Sequence, residues 1–309
     1  MIAIQEFIYL LVNLFRLILQ IIYHTCENAY NNLFGIKEKD VTKDIVLITG
    51  TGHGIGKELA MQYALLGATV VCLDINQQSN EETANEIRKI KKNSQNTVYA
   101  YQCDITNREE VFKVAHKIMK EVGDVSILIN NAGIMPCHTF LDHTPNEITQ
   151  IFNLNVIAHI WMLQAFLPGM LRKNSGHIVA ISSIAGLAGL PNIVPYSGSK
   201  CAVAGLMEAL NYELVQNNKG NSSIKFTTIY PFMVDTGLCK KPKLNNRLSI
   251  ALLSPKKVAA QIIKAQRRNI REMSIPTFWF YVAALIKFLP EKSIVCIRNF
   301  FDCGVDPVD

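Results

Sequence analysis

The chain has 309 residues, 49% of them apolar and 18% charged, with a net charge of +6. That composition excludes a disordered chain and suits one large α/β domain with an appendage, or at most two domains. The positive charge forms no basic stripe with interleaved aromatics, so no nucleic-acid partner is expected. The eight cysteines are scattered without C-x-x-C or zinc spacing, so no metal site is expected and free thiols in a reducing compartment are.

Residues 2–23 are apolar and long enough, at about 20 residues, to cross a hydrocarbon core as a helix. Glu6, Tyr9, Asn13, Arg16 and Gln20 recur at three- and four-residue steps and draw one polar stripe along it. The pattern predicts an interfacial or tilted anchor rather than a clean span. A secretory signal is not predicted, because no basic n-region and no small-x-small site precede Tyr23. Residues 1–35 are therefore expected to form an anchor and linker, and residues 36–309 a single catalytic domain with an apolar C-terminal extension.

From Ile45 onward, apolar runs alternate with amphipathic ones. Strands are predicted at Ile45–Thr49, Thr69–Leu73, Val98–Tyr101, Ser126–Ile129, His177–Ile181, Lys225–Tyr230 and Glu272–Ile275. Helices are predicted at Gly54–Leu66, Glu81–Lys92, up to Glu121 from a capping box at Thr106–Glu109, at Asn146–Leu171, Tyr196–Gln216 and Pro255–Arg268. Such alternation predicts an α/β fold, a doubly wound parallel sheet of about seven strands with helices on both faces. The loop 237–254 is long and lysine-bearing, as lids often are. Residues 276–286 are aromatic and apolar but short for a membrane span. Two readings fit them: docking on a membrane surface, or covering a substrate pocket.

Gly50, Gly54 and Gly56, with Ile55 between the last two, follow the first strand and open the first helix. Glycines there let the backbone turn tightly beside a pyrophosphate at a helix N-terminus. Asp74 ends the second strand, where a carboxylate accepts from ribose hydroxyls and repels a 2′-phosphate. NAD is therefore expected over NADP. Asp104, followed by Ile105, could accept from an adenine amino group or simply start the next helix. Tyr196 and Lys200 share a helix face. An ammonium and a cationic nicotinamide are expected to lower the phenol from its usual ~10. Ser183, with Ser182 as its competitor, offers a hydroxyl to a substrate oxygen. Asn155, an amide in an apolar helix, could hold a water for proton release.

Together Thr49-Gly50-x-x-x-Gly54-Ile55-Gly56, Asp104, Asn130-Asn131-Ala132-Gly133, Asn155, Ser183, Tyr196-x-x-x-Lys200 and Pro231-x-x-Val234-x-Thr236 resemble the short-chain dehydrogenase/reductase family over about residues 41–275. The resemblance implies a Rossmann-type fold and a role at each position. Tyr196 is the general acid/base, and Lys200 lowers its pKa and binds the nicotinamide ribose. Ser183 orients the substrate oxygen, and Asn155 completes a proton relay. Asn131 and its neighbours steady the central strand and line the cofactor site. Thr236 and the backbone near Val234 meet the carboxamide. One position departs from the pattern: Phe232 stands where the family usually has glycine. The apolar ends look like the membrane- or lipid-droplet-associated retinol and 17β-hydroxysteroid dehydrogenase branch.

The resemblance implies an NAD-dependent oxidation of an alcohol on a lipophilic substrate such as a steroid, a retinoid or a long-chain alcohol. A family-typical homodimer and a place on the endoplasmic reticulum membrane or a lipid droplet are expected with it. The lack of a cleavable signal and the unpaired-looking cysteines favour a catalytic domain facing the cytosol. The competing readings are an NADPH-dependent ketone reductase and a catalytically vestigial lipid-droplet surface protein.

Overall fold

The computed structural model describes residues 2–34, 37–90, 98–217, 220–243 and 251–307. It divides into two compact units, Met1–Lys39 and Asp40–Asp309. In the first unit a single helix, α1 (Ile2–Phe34), runs past the predicted end at Tyr23. Its stretch Gln5–Glu27 is long and apolar enough to cross a membrane, and none of it is buried.

The second unit is built on a parallel sheet. Its strands are β1 (Ile45–Thr49), β2 (Thr69–Asp74), β3 (Val98–Gln102), β4 (Ile127–Asn130), β5 (Gly176–Ile181), β6 (Ile224–Pro231) and, after a short β7 (Pro242–Lys243), β8 (Glu272–Ile275). The order is β3-β2-β1-β4-β5-β6-β8. Val46, Leu47 and Ile48 pair with β2 on one side and β4 on the other. They are completely buried, which explains why these strands read as unbroken apolar runs rather than alternating ones.

Two layers of helices cover the sheet. Helices α2 (Gly54–Leu65), α3 (Gln77–Ile90) and, later in the chain, Pro255–Arg267 pack on one face around Leu59, Ala60, Tyr63 and Ile262. Helices α4 (Arg108–Glu121), α6 (Ala158–Lys173) and α7 (Val194–Asn217) pack on the other around Leu128, Met162, Phe166 and Val203. Helix α5 (Pro145–Phe152) precedes α6, and α8 is the Pro255–Arg267 helix. The Rossmann-type, doubly wound architecture is the one the sequence predicts.

Three local expectations are corrected. The predicted single helix Asn146–Leu171 is α5 and α6 joined by a π-turn at Asn153–Ile157. The extra residue in that turn accompanies a buried side chain at Asn155, which is held by the loop after β4. The capping residue of α4 is Asn107, not Thr106. Asn107 Oδ1 accepts from the Glu109 and Glu110 N–H groups at 3.1 and 3.2 Å, while the Thr106 hydroxyl donates to Asp104. Helix α3 begins at Gln77 rather than Glu81, because Asn76 Oδ1 accepts the Ser79 N–H and supports an earlier turn. The predicted end of that helix at Lys92, and residues 244–250 of the long loop, lie outside the described residues.

The start of α2 is pressed against β1. A Cβ on Gly56 would lie 1.9 Å from the Gly50 carbonyl oxygen. Gly56→Ala should therefore cost about 1–3 kcal/mol through forced backbone movement. Urea unfolding followed by circular dichroism should show a lower midpoint with an unchanged slope.

Candidate active site

In open parallel sheets, ligands bind beyond the carboxyl ends of strands where the strand order reverses. Here the chain leaves β1 for β2 on one side and enters β4 on the other. A cavity of about 580 Å³ opens at that point. Its walls include Gly50, Gly54 and Ile55 after β1, Asp74 at the end of β2, Asp104 and Ile105 after β3, and Asn131 after β4. Ser183, Tyr196 and Lys200 line it near β5 and α7, and Val234 and Thr236 line it after β6. Of the predicted site residues only Gly56 and Asn155 do not line it. Gly56 packs α2 on β1, and Asn155 stands one layer behind.

The glycine loop is held open by its neighbours. Asp74 Oδ2 accepts the Gly52 N–H at 2.8 Å, and Oδ1 accepts the Asn76 N–H at 2.9 Å. Thr51 donates to Asn80 Oδ1, and Asn80 donates to the Cys72 and Tyr101 carbonyls on β2 and β3. Gly54 has φ +59, and a Cβ there would sit 3.0 Å from Thr236 Cγ2. The loop thus offers a cradle of glycine backbone at the start of α2 beside a carboxylate. Those features fit a dinucleotide's pyrophosphate and ribose. Asp104 Oδ1 accepts both the N–H and the hydroxyl of Thr106. It shapes the turn into α4 while lining the cavity.

The loop after β4 is fixed from two sides. Asn131 donates its N–H to Thr49 Oγ1 and its amide to the Thr49 and Gly50 carbonyls. Asn155 Oδ1 accepts the Ile134 N–H, and its amide donates to the Ile134 carbonyl and Ser199 Oγ. Both amide hydrogens are committed to protein, so this side chain is first a clamp on the loop.

The hydroxyl pair is unambiguous. Ser182 Oγ donates to the Lys200 carbonyl at 2.8 Å and is tied down. Ser183 hydrogen-bonds with Tyr196, and its Oγ accepts the Ala185 N–H. Lys200 Nζ donates to the Ile181 carbonyl at 2.8 Å and lies 5.6 Å from the Tyr196 ring centroid. Burial pushes the Tyr196 phenol up to about 12, and the Ser183 hydrogen bond opposes it. The expected lowering belongs to the phenol beside a cationic nicotinamide; without one, desolvation dominates. Burial also pulls Lys200 down to about 8. The buried His159 on α6 is pulled down to about 3 by burial first and by Lys200 second, so it stays neutral there.

Much of the remaining cavity wall is apolar, with Met135, Leu190, Ile193, Phe232, Met233 and Leu238, alongside Gln150 and Asn153. Sequence reasoning missed a contribution from the far C-terminus. Helices α9 (Phe278–Ile286) and α10 (Glu291–Phe301) lead to β9 (Gly304–Val305), which pairs antiparallel with β7. Val305 lines the cavity, and its carbonyl accepts from Asn192 at 2.7 Å. Phe232, the departure from the family pattern, stacks on Trp279 of α9, with centroids 5.5 Å apart and planes 10° apart. Residues 276–286 reach the pocket at second hand, since Trp279 backs Phe232, which lines the cavity. An aromatic in place of glycine beside an aromatic-rich terminus was the one signal available.

Comparison with known proteins agrees with this architecture. Residues 44–246 match the family model described as short chain dehydrogenase. Epidermal retinol dehydrogenase 2 of Mus musculus is 39% identical over 262 residues, covering 85% of this chain and 83% of that protein. The 17-beta-hydroxysteroid dehydrogenase 13 of Homo sapiens is 36% identical over 290 residues, 94% of each chain. A crystal structure of a short chain dehydrogenase/reductase from Burkholderia phymatum in complex with NAD has the same fold. Its TM-score is 0.72 at 23% identity, covering 88% of this chain and 99% of that one.

The Lys200 shift has a consequence for stability. Between about 8 and the ordinary 10.5, the unfolded chain carries a proton that the folded chain has released. Unfolding then takes up a proton, so stability rises with pH across that window. Unfolding of the cofactor-free protein, compared with Lys200→Met at about pH 7.5 to 10.5, should show the wild type gaining on the variant as pH rises, by roughly 1–3 kcal/mol. A flat difference would mean that Lys200 titrates normally.

Proposed function

The chain belongs to the short-chain dehydrogenase family, and from that premise we propose that it oxidises or regenerates an alcohol on a lipophilic molecule such as a steroid, a retinoid or a long-chain alcohol, with NAD preferred over NADP. Membership makes it an oxidoreductase acting on CH–OH groups with NAD(P). The observation that carries the finer reading is one cavity with two chemistries. A glycine cradle and Asp74 stand at one end, and the Ser183–Tyr196 pair shares the cavity with a largely apolar wall.

The cradle of Gly50, Gly54 and Ile55 would hold the pyrophosphate, with Gly56 seating α2 against β1 behind it, and Asp74 would hold the adenosine ribose. Asp104 and Ile105 would flank the adenine. Asn131, Val234 and Thr236 would border the nicotinamide half, with Lys200 on its ribose. When bound, the oxidised dinucleotide supplies the hydride acceptor and a positive charge that favours the phenolate. Ser183 donates to the substrate oxygen and fixes its orientation. Tyr196 takes the hydroxyl proton as the carbonyl forms and returns it in the reverse direction. Lys200 holds its ammonium on the same helix face, and below about pH 8 it keeps that charge. Asn155 fixes the loop at Ile134, and its Oδ1 has a lone pair left for a relay water.

The apolar wall suits a hydrophobic substrate, and α1 suits a chain stationed where such a substrate dissolves. We place the protein on the endoplasmic reticulum membrane or a lipid droplet with its catalytic unit in the cytosol. The eight free cysteines support that side.

Two measurements test the proposal. Tyr196→Phe keeps the ring and removes the titrating hydroxyl, so kcat should fall by about 10²–10⁴ with NAD affinity retained. Near-normal turnover would overturn the assigned base. Asp74→Ser removes the carboxylate that repels a 2′-phosphate, so the ratio of kcat/KM for NAD over NADP should drop by about tenfold or more. A wild type that prefers NADP would contradict the cofactor assignment.

A further inference from the structure

Helix α9 is apolar on both sides. Its inner side turns Ala283 into the body and stacks Trp279 on Phe232. Its outer side presents Phe278, Tyr281 and Leu285, with Phe288 one turn beyond, at three-, four- and three-residue steps. They are exposed by 51, 63, 66 and 87%. A helix that is hydrophobic all round is normally covered all round. Four large side chains in one stripe form a patch of the kind that marks a contact surface.

The charges around the stripe select its partner. Residues 237–243 and 276–306 form one module, joined by the β7–β9 pairing and the Lys243–Asp302 ion pair. The module carries Lys240, Lys241, Lys243, Lys287, Lys292 and Arg298 against only Glu291, Asp302 and Asp306. Protein–protein contacts are depleted in lysine. An apolar stripe on a net-basic module, with Lys287 between Leu285 and Phe288, instead fits a membrane interface with anionic head groups, where the bases meet phosphate and the aromatic side chains enter the acyl boundary.

We propose that the outer face of α9 docks on an anionic phospholipid surface, as a second lipid contact separate from α1. The inference rests on the proposed lipid anchoring of residues 2–23, but not on catalytic turnover. It gives the module two sides with different tasks. The outer side meets lipid, and the inner side, through Phe232, Leu238 and Val305, forms part of the cavity wall. A substrate dissolved in the lipid then has a short route into the pocket.

The test uses the full-length chain on phosphatidylcholine–phosphatidylserine vesicles whose acyl chains are brominated. Phe288→Trp places a fluorophore at the most exposed position of the stripe. Leu65→Trp places one at an exposed site on α2. The emission added by Phe288→Trp should be quenched by about half or more, and that added by Leu65→Trp should not. Quenching of the Phe288→Trp emission should weaken when phosphatidylserine is omitted. Vesicle flotation separates the failures. A floating protein with unquenched emission from Phe288→Trp overturns the docking and leaves the anchor standing. A protein that does not float overturns both. Equal quenching on neutral vesicles overturns the role of the bases. A dimer that Leu285→Glu with Phe288→Glu splits into monomers, without lipid quenching of Phe288→Trp, assigns the stripe to a second copy instead.

Discussion

The site depends on one tie across the middle of the sheet, between Thr49 at the end of β1 and Asn131 just after β4. The two strands are neighbours in space, but the chain leaves them toward different ends of the sheet. Nothing in the strand ladder holds their loops together beyond the last pair. Thr49 Oγ1 accepts the N–H groups of Asn131 and Ala132, and the Asn131 amide returns two hydrogen bonds to the Thr49 and Gly50 carbonyls. Each is worth about 1 kcal/mol net, yet leaving such partly buried groups unpaired costs more. The glycine loop and the loop after β4 therefore behave as one rigid edge. Asn155 grips the same loop from behind, at Ile134, and its third bond reaches Ser199 beside Lys200. Through this chain of bonds the dinucleotide cradle and the acid/base helix share one frame.

Within that frame, burial sets the electrostatics. Tyr196 and Lys200 both lie on the inner face of α7, where desolvation penalises phenolate and ammonium alike. The free protein thus holds a neutral phenol bonded to Ser183 and a lysine with a weakened grip on its proton. Lys200 Nζ donates to the Ile181 carbonyl, which fixes its position at the cavity. This is a resting arrangement that disfavours proton transfer until an additional positive charge arrives. On the proposed function, a base that became competent only beside the oxidised dinucleotide would avoid placing a bare phenolate in a buried pocket.

How much of this could be read in the sequence follows from the range over which each residue acts. β1 and the seven-strand parallel sheet were legible because apolar runs between glycine-marked turns are local signals. Tyr196 and Lys200 were legible because four-residue spacing is a helix face. Asn155 was found, but its geometry was not, since a π-turn leaves no mark in the apolar periodicity that made residues 146–171 look like one helix. The choice between Ser183 and Ser182 was beyond the sequence: adjacent residues on an extended segment point opposite ways, and only the bond from Ser182 to the Lys200 carbonyl decides it. The upward push on the Tyr196 phenol in the free protein was likewise not legible, because depth of burial is a tertiary quantity.

Phe232 shows how a departure from a family pattern becomes intelligible once the fold is assembled. A glycine after the proline that ends β6 would leave open space beside the cavity. Phe232 fills it with a ring, and that ring needs an apolar partner to exclude water from its far side. Trp279 supplies the partner, and Phe301 packs on Trp279 in turn, with centroids 5.0 Å apart. The exchange of a small residue for a large one is therefore coupled to the existence of α9 and α10, some fifty residues later. The same aromatic stack fixes the helix pair whose trailing strand, β9, brings Val305 to the cavity wall. Part of the wall beside Tyr196 is consequently supplied by the chain's most distal described segment, through Val305. On the proposed function, this wall would bear on substrate shape and the residues at the sheet edge on hydride chemistry, so the two could vary independently on one scaffold.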